Sequence, residues 1–162
     1  MGRLHRLWCL SRREKALLCE AGVLFLAAKV SVHTMPFGRI ERYLRAHGGG
    51  GARDTRDRYE DIRLIRRSLS RAGGLFRWKA PCLSRSIAEF IMLRRRGIPA
   101  AMYMGVKVIE NSALSAHAWV EASAAGADWD RGGYANVLVI GEVGVKSRPP
   151  PRPSKLARAH RS

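Results

Sequence analysis

The chain has 162 residues, 46% of them hydrophobic, and its 30 Lys and Arg against 13 Asp and Glu give a formal net charge of +17. The apolar content excludes a compositionally disordered chain, and the length suits one domain with at most a small appendage. The charge does not define a nucleic-acid-binding protein, because the basic residues are scattered and no zinc-finger spacing, aromatic-studded sheet motif or long recognition helix accompanies them. Arginine-rich coding bias would produce the same balance, so we expect no specific nucleic-acid partner.

The three cysteines, Cys9, Cys19 and Cys82, form no Cys-x-x-Cys pair. We therefore expect neither a disulfide framework nor a metal site, no cofactor, and a reducing cytoplasm as the compartment, either free or at the inner surface of the inner membrane. The longest nearly uninterrupted apolar stretch, residues 21–28, is too short to span a bilayer, which predicts no transmembrane segment. Cys19 falls on the apolar face of the first predicted helix, where we expect it in the core.

The first half of the chain predicts helices. Ser11 and Glu14 fit a capping box and begin a helix that runs to about Val32. A short second helix over residues 37–46 follows, and four glycines at 48–51 form a flexible linker. The residues of the second helix expected to point inward are Ile40, Tyr43 and Leu44. We divide the chain into a helical hairpin (1–47), a Gly-rich linker (48–54), a core (55–145) and a basic disordered tail (146–162).

Two further helices are predicted before the pattern changes. Asp54 or Thr55 can cap a third helix, which Gly73 and Gly74 are expected to end. Its apolar positions at near-helical spacing are Tyr59, Ile62, Ile65 and Leu69. A fourth helix opens at Pro81, in the first-turn position that proline favours. Gly97 stands where a left-handed cap belongs, and Pro99 prevents continuation.

Beyond Pro99 the hydrophobic pattern changes to period two. It predicts strands over residues 102–108, 116–122, 127–130 and 136–140. In the second strand His117, Trp119 and Glu121 share one face. Helices followed by an antiparallel sheet indicate an α+β fold, with the helices packed on one side of the sheet.

One cysteine and one histidine of this arrangement can carry chemistry. Cys82 lies in the first turn of the fourth helix, where unpaired backbone N–H groups and the helix dipole favour the nucleophilic thiolate. His117, on a following strand, can act as its base. A third group must orient the imidazole, and both Asp128 and Asp130 point to the same strand face, so periodicity leaves the choice between them open.

Other groups can shape the same cleft. The backbone N–H of Cys82 is the first candidate for an oxyanion hole, and the indole N–H of Trp78 is a second. Trp119 can form part of the cleft wall, although for both tryptophans the sequence favours core packing over a role in the cleft. The remaining histidines show no spacing that suggests a metal site.

Three segments together resemble a known family. They are residues 82–99, Gly105-Val106-Lys107, and Ala116-His-Ala-Trp-Val-Glu121. The chain resembles, from about Ser11 to Ile140, the leader peptidases of lasso-peptide biosynthesis, the microcin-processing B proteins. The resemblance implies a transglutaminase-like or papain-like core whose nucleophile helix packs on a small antiparallel sheet. It carries the catalytic Cys and His over to Cys82 and His117 and the acid best to Asp130.

The resemblance also implies a function and partners. It implies a cysteine peptidase that removes the leader from a lasso-peptide precursor before an ATP-dependent synthetase closes the macrolactam ring. Some family members carry a leader-recognition domain ahead of the helical opening, and we expect this chain to rely on a separate recognition protein instead. A transglutaminase-like acyltransferase and a non-catalytic basic binding module are the alternatives. A shared acyl-thioester means that sequence alone does not separate peptidase from acyltransferase.

Overall fold

The computed structural model describes residues 10–46, 55–75, 82–109, 114–122 and 134–141. Within these ranges lie four helices and three strands. They are α1 (Arg12–Thr34), α2 (Phe37–Ala46), α3 (Thr55–Leu75), α4 (Cys82–Arg95), β1 (Ala100–Val108), β2 (Leu114–Ala122) and β3 (Ala135–Ile140). The predicted α+β class is confirmed. The proposed linker, the basic tail and the predicted strand over 127–130 lie outside the described residues.

The start of α1 follows directly from two side chains. The Ser11 hydroxyl accepts a hydrogen bond from the Glu14 N–H at 3.2 Å, and the Glu14 carboxylate accepts one from the Ser11 N–H at 3.1 Å. The backbone hydrogen bond from Ser11 is the main cause that lowers the pKa of Glu14 below its ordinary value. The predicted capping box is therefore confirmed, and the helix extends two residues beyond the predicted end, to Thr34.

The orientation of α1 differs from the prediction. Leu17, Ala21, Phe25 and Ala28 are buried, whereas Cys19 is exposed. Placing Cys19 in the core was wrong, because α1 is apolar around much of its circumference and periodicity does not show which side packs inward. By length and composition α1 could also cross a membrane, a test that the core helix of a soluble protein passes equally.

Two tyrosines and two glycines of the helices also depart from the prediction. Tyr43 and Tyr59 are 53% and 61% exposed. Their rings fit the helical spacing, but a tyrosine keeps its hydroxyl in water readily and the aliphatic residues beside it fill the core. Helix α3 continues through Gly73 and Gly74 to Leu75. The predicted inward residues that are buried are Ile40, Leu44, Ile62, Ile65 and Leu69.

The end of α4 is a Schellman motif. Gly97 has a φ of 68°, in the left-handed region that favours glycine. The Ile98 N–H donates to the Leu93 carbonyl and the Gly97 N–H to the Arg94 carbonyl, both at 3.0 Å. The predicted cap is confirmed, and the turn sends the chain straight into β1.

The sheet is antiparallel, in the order β2-β1-β3. Gly105 of β1 lies opposite His117 of β2 and opposite Asn136 of β3, next to a bulge between Met104 and Gly105. Helix α4 packs on β1 and β2. The buried cluster that joins helices and sheet includes Ile65, Ile87, Phe90, Met102 and Val120. This packing brings α4, which begins at Cys82, beside β2.

Candidate functional site

Cys82 is the first residue of α4 and is half-buried. In the first turn of a helix the backbone N–H groups have no partner within the helix, so they face any group that sits at its start. Arg85, Ser86 and Glu89 follow at spacings of three, four and seven, which places them on the same face as the cysteine. The helix thus presents one thiol and a row of polar side chains toward β2.

A cleft of about 370 Å³, which we call the polar cleft because three charged side chains are among its lining residues, lies along this face. On the helix side Cys82, Arg85, Ser86 and Glu89 line it. On the sheet side its wall is four consecutive residues of β2, from His117 to Val120. Consecutive strand residues alternate between faces, so the cleft follows the outer edge of β2 rather than one face of the sheet.

Cys82 and His117 also line a second, smaller space. This apolar pocket has a volume of about 180 Å³, and aliphatic side chains form most of its wall. The two residues that sequence patterns single out therefore lie at the junction of two adjoining clefts. Among the described residues no hydrogen bond joins the thiol to the imidazole.

Two aromatic rings pack beside the imidazole. The His117 ring is stacked with Trp119, with centroids 6.0 Å apart and planes at 16°, and is tilted against Tyr134 at 5.5 Å. The Tyr134 hydroxyl is itself held by the Ser115 hydroxyl at 3.1 Å. Trp119 is among the residues that line the polar cleft. Tyr134 was not singled out from the sequence, because only the folded sheet places this residue, which precedes β3, against side chains of β2.

Gly105 makes this close arrangement possible. A Cβ at this position would lie 2.9 Å from the Ala135 carbonyl oxygen, 3.0 Å from Tyr134 Cβ and 3.1 Å from the Trp119 ring. Because the nearest of these atoms is backbone, no side-chain rotation removes the collision. The absence of a side chain at Gly105 therefore allows Trp119 and Tyr134 to pack closely against β1.

Replacing Gly105 with Ala is expected to lower the free energy of unfolding by about 1–3 kcal/mol, because β3 must move away from β1. Urea unfolding followed by circular dichroism measures the change. Gly38→Ala is the matched control: no atom lies within 4 Å of a Cβ there, and alanine in a helix is expected to be neutral or stabilising. Equal stability of the two variants would contradict the role assigned to Gly105.

An ion pair that the sequence did not reveal forms part of the lining of the polar cleft. The Arg66 guanidinium of α3 donates to the Glu89 carboxylate of α4 at 2.7 Å and to the Val120 carbonyl of β2 at 3.3 Å. Glu89 is only 8% exposed. One side chain thus ties two helices to the edge strand. The sequence does contain one signal of this pair, because Glu89 lies between the apolar residues Ala88 and Phe90 on the predicted helix. No feature of the sequence around Arg66 identified it as the partner of Glu89.

Three predicted site residues, Trp78, Asp128 and Asp130, lie outside the described residues. Their roles stay predictions, as does the role of the Cys82 N–H. Among the residues that the structure does describe, no group of three or more His, Cys, Asp or Glu side chains could hold a metal ion.

A cysteine at the start of a helix that packs on a small antiparallel sheet, with a histidine on the neighbouring strand, defines the class of this fold and site. Comparison with protein families assigns it: the model of the transglutaminase-like superfamily matches residues 23–141. The chain therefore belongs to the transglutaminase-like superfamily, whose members are typically cysteine-based enzymes. No curated protein and no solved structure matches the chain.

Proposed function

We propose that this protein is a cysteine peptidase that removes the leader peptide from a lasso-peptide precursor before macrolactam ring closure. The observation that supports it most is the position of Cys82, which begins α4 and shares both clefts with His117 in a transglutaminase-like domain. The residue pattern around both positions supports the leader-peptidase assignment within that superfamily. The precursor peptide is the substrate, and no cofactor takes part.

The first chemical step would form an acyl-enzyme. His117 takes the proton of the Cys82 thiol, and the sulfur attacks the carbonyl carbon at the end of the leader. The C–N bond then breaks, and the amine of the core peptide leaves with the proton held by His117. The backbone N–H of Cys82 would stabilise the oxyanion, with the Trp78 indole as a second donor. In many enzymes the hydrogen bond between nucleophile and base tightens only when substrate is bound, and the proposal requires such an approach here.

The second step would release the leader as a free acid. His117 takes a proton from water, the resulting hydroxide attacks the thioester carbon, the C–S bond breaks, and the thiol regains its proton. An amine in place of water would give an amide, which is acyl transfer rather than hydrolysis. The free amine of the core peptide is the group that an ATP-dependent synthetase would then join in the ring.

Product analysis tests the proposal. The purified chain is incubated in H₂¹⁸O with a leader–core precursor, the separate recognition protein and the synthetase. The masses of the products are then measured by mass spectrometry. We expect a leader ending in a carboxylate that carries one ¹⁸O atom. A leader joined to an amine through an amide bond would show that the enzyme catalyses acyl transfer rather than hydrolysis. Absence of any cleavage with all partners present would overturn the leader-peptidase assignment.

The choice between the two acids is tested by matched variants. If Asp130 orients His117, Asp130→Asn is expected to lower kcat about 10⁴-fold, the effect of losing the orienting aspartate in a serine-protease triad. Asp128→Asn should change kcat less than about tenfold. Cleavage rates of both variants are measured side by side with the same precursor. The reverse order of effects would transfer the role to Asp128, and two unaffected variants would remove both from the site.

A further inference from the structure

The two clefts that meet at Cys82 and His117 differ in chemistry. The polar cleft contains the guanidinium groups of Arg66 and Arg85 and the carboxylate of Glu89. The apolar pocket shares Cys82 and His117 with it and is otherwise formed by Leu83 of α4 together with apolar side chains of the sheet, namely Met104, Val106, Ala116 and Val137. A substrate bound at the thiol therefore meets charged side chains in one cleft and hydrocarbon in the other.

The depth of the apolar pocket comes from paired positions in the sheet. Val106 of β1 lies directly opposite Ala116 of β2, and Met104 lies directly opposite Ala118. These four side chains point to the same face, since they occupy alternate positions on paired strands. In each pair a larger residue of β1 lies opposite an alanine of β2, so the small alanine side chains leave space on the β2 side of the pocket. Any larger side chain at Ala116 would project into this space.

The wall of the pocket is apolar but not closed. Val106 is 37% exposed and Val137 is 67% exposed, and Ala116 is exposed as well. Exposed aliphatic residues around a concavity are typical of a ligand-binding surface. The volume of about 180 Å³ is well below the roughly 300 Å³ at which pockets hold a whole small ligand, and it suits a single side chain.

We propose that the apolar pocket binds one aliphatic side chain of the peptide substrate, next to the bond that Cys82 attacks, and that Ala116 limits its size. The inference rests on the proposed function, because the pocket shares Cys82 and His117 with the polar cleft and so continues the same site. Burial of a leucine-sized side chain accelerates the reaction by roughly 10–100-fold over glycine. A charged side chain gains nothing there, because its charge would lose water without a partner.

The test uses peptide-like Michael acceptors that carry two residues on each side of the electrophilic carbon. The Cys82 sulfur adds to that carbon and the neighbouring carbon takes up a proton, so mass spectrometry of the digested protein, which separates Cys82 from Cys9 and Cys19, measures the labelling rate at Cys82. The reference reagent has glycine at all four positions, and others carry one Leu, Phe or Lys. We expect Leu at one position, but not Lys, to raise the rate of Cys82 labelling by roughly 10–100-fold.

Two pocket variants locate the effect. Ala116→Leu fills the pocket and should bring the Leu-to-Gly rate ratio close to one, whereas Val106→Ala enlarges it and should shift the preference from Leu toward Phe. Ala27→Leu, at an exposed position on α1, is the control and should keep the wild-type ratio. If Ala116→Leu fails to fold, Val106→Ala still tests the assignment, because it should shift the preference from Leu toward Phe.

The outcomes separate this inference from the proposed function. Equal labelling of Cys82 by all reagents, or a Leu preference that neither pocket variant changes, would overturn the pocket assignment while leaving a reactive cysteine enzyme. No labelling of Cys82 by any reagent would overturn the proposed function, and the pocket assignment with it.

Discussion

Replacing Cys82 with Ala should abolish turnover of the precursor, with a fall in kcat of at least about 10⁴-fold. The reason is that the proposed acyl-thioester forms on the Cys82 sulfur, and without it His117 would have to activate water against an unactivated amide. Removal of a nucleophile costs nearly as much as removal of the whole catalytic group, since the remaining members have nothing to act on. The measurement is single-turnover cleavage of the precursor, followed by mass spectrometry.

The chain supplies a matched control for this variant. Cys19 is a free thiol exposed on α1, far along the chain from the clefts, so Cys19→Ala should keep the wild-type rate. Both variants should unfold at the wild-type temperature, because Cys82 is only half-buried and alanine suits the first turn of a helix. Undiminished cleavage by Cys82→Ala, or an equal loss in Cys19→Ala, would contradict the assignment of Cys82 as the nucleophile.

Two helix ends were predictable because their chemistry is local. The capping box at Ser11 and the left-handed glycine at Gly97 each depend on residues within six positions, which the sequence displays directly. The buried side of each helix was harder to predict. Cys19 satisfies the helical period but is exposed, because α1 has apolar residues on more than one side and the packing partner decides which side is buried. Tyr59 also fits the period but is exposed, because aliphatic residues of the same helix fill the core.

The same distinction holds at the candidate site. Cys82 and His117 were found because one begins a helix and the other lies in a strand of period two, both visible locally. Tyr134 contacts His117 from seventeen positions away along the chain, and Arg66 reaches Glu89 from another helix. Such contacts depend on how the helices and strands pack together, which periodicity does not encode.

Of the ion pairs within the described residues, that between Arg66 and Glu89 is the most buried, and breaking it by removing one partner should cost the most stability. Glu89→Ala is expected to lower the free energy of unfolding by about 3 kcal/mol, because it removes an almost fully buried carboxylate that pairs with the Arg66 guanidinium at 2.7 Å. For a domain of this size that corresponds to a fall in Tm of roughly 6–12 °C. Thermal unfolding by differential scanning calorimetry measures it directly.

An exposed ion pair provides the comparison. Glu41 and Arg45 pair one turn apart on α2 at 2.9 Å, so Glu41→Ala removes the same charge from a solvated position and should cost less than about 0.5 kcal/mol. If Glu89→Ala costs no more than Glu41→Ala, the pair beside the cleft is not a structural tie.

The double variant Arg66→Met with Glu89→Leu separates the charge from the packing. Replacing both partners by apolar residues removes both charges together and should recover most of the loss. Recovery should stop about 1 kcal/mol short of the wild type, because Arg66 also donates to the Val120 carbonyl at the edge of β2 and methionine cannot. Val120 follows His117 by three residues on β2. The stability that the double variant does not recover therefore measures the contribution of the Arg66 hydrogen bond to holding β2, and with it the candidate site, against the helices.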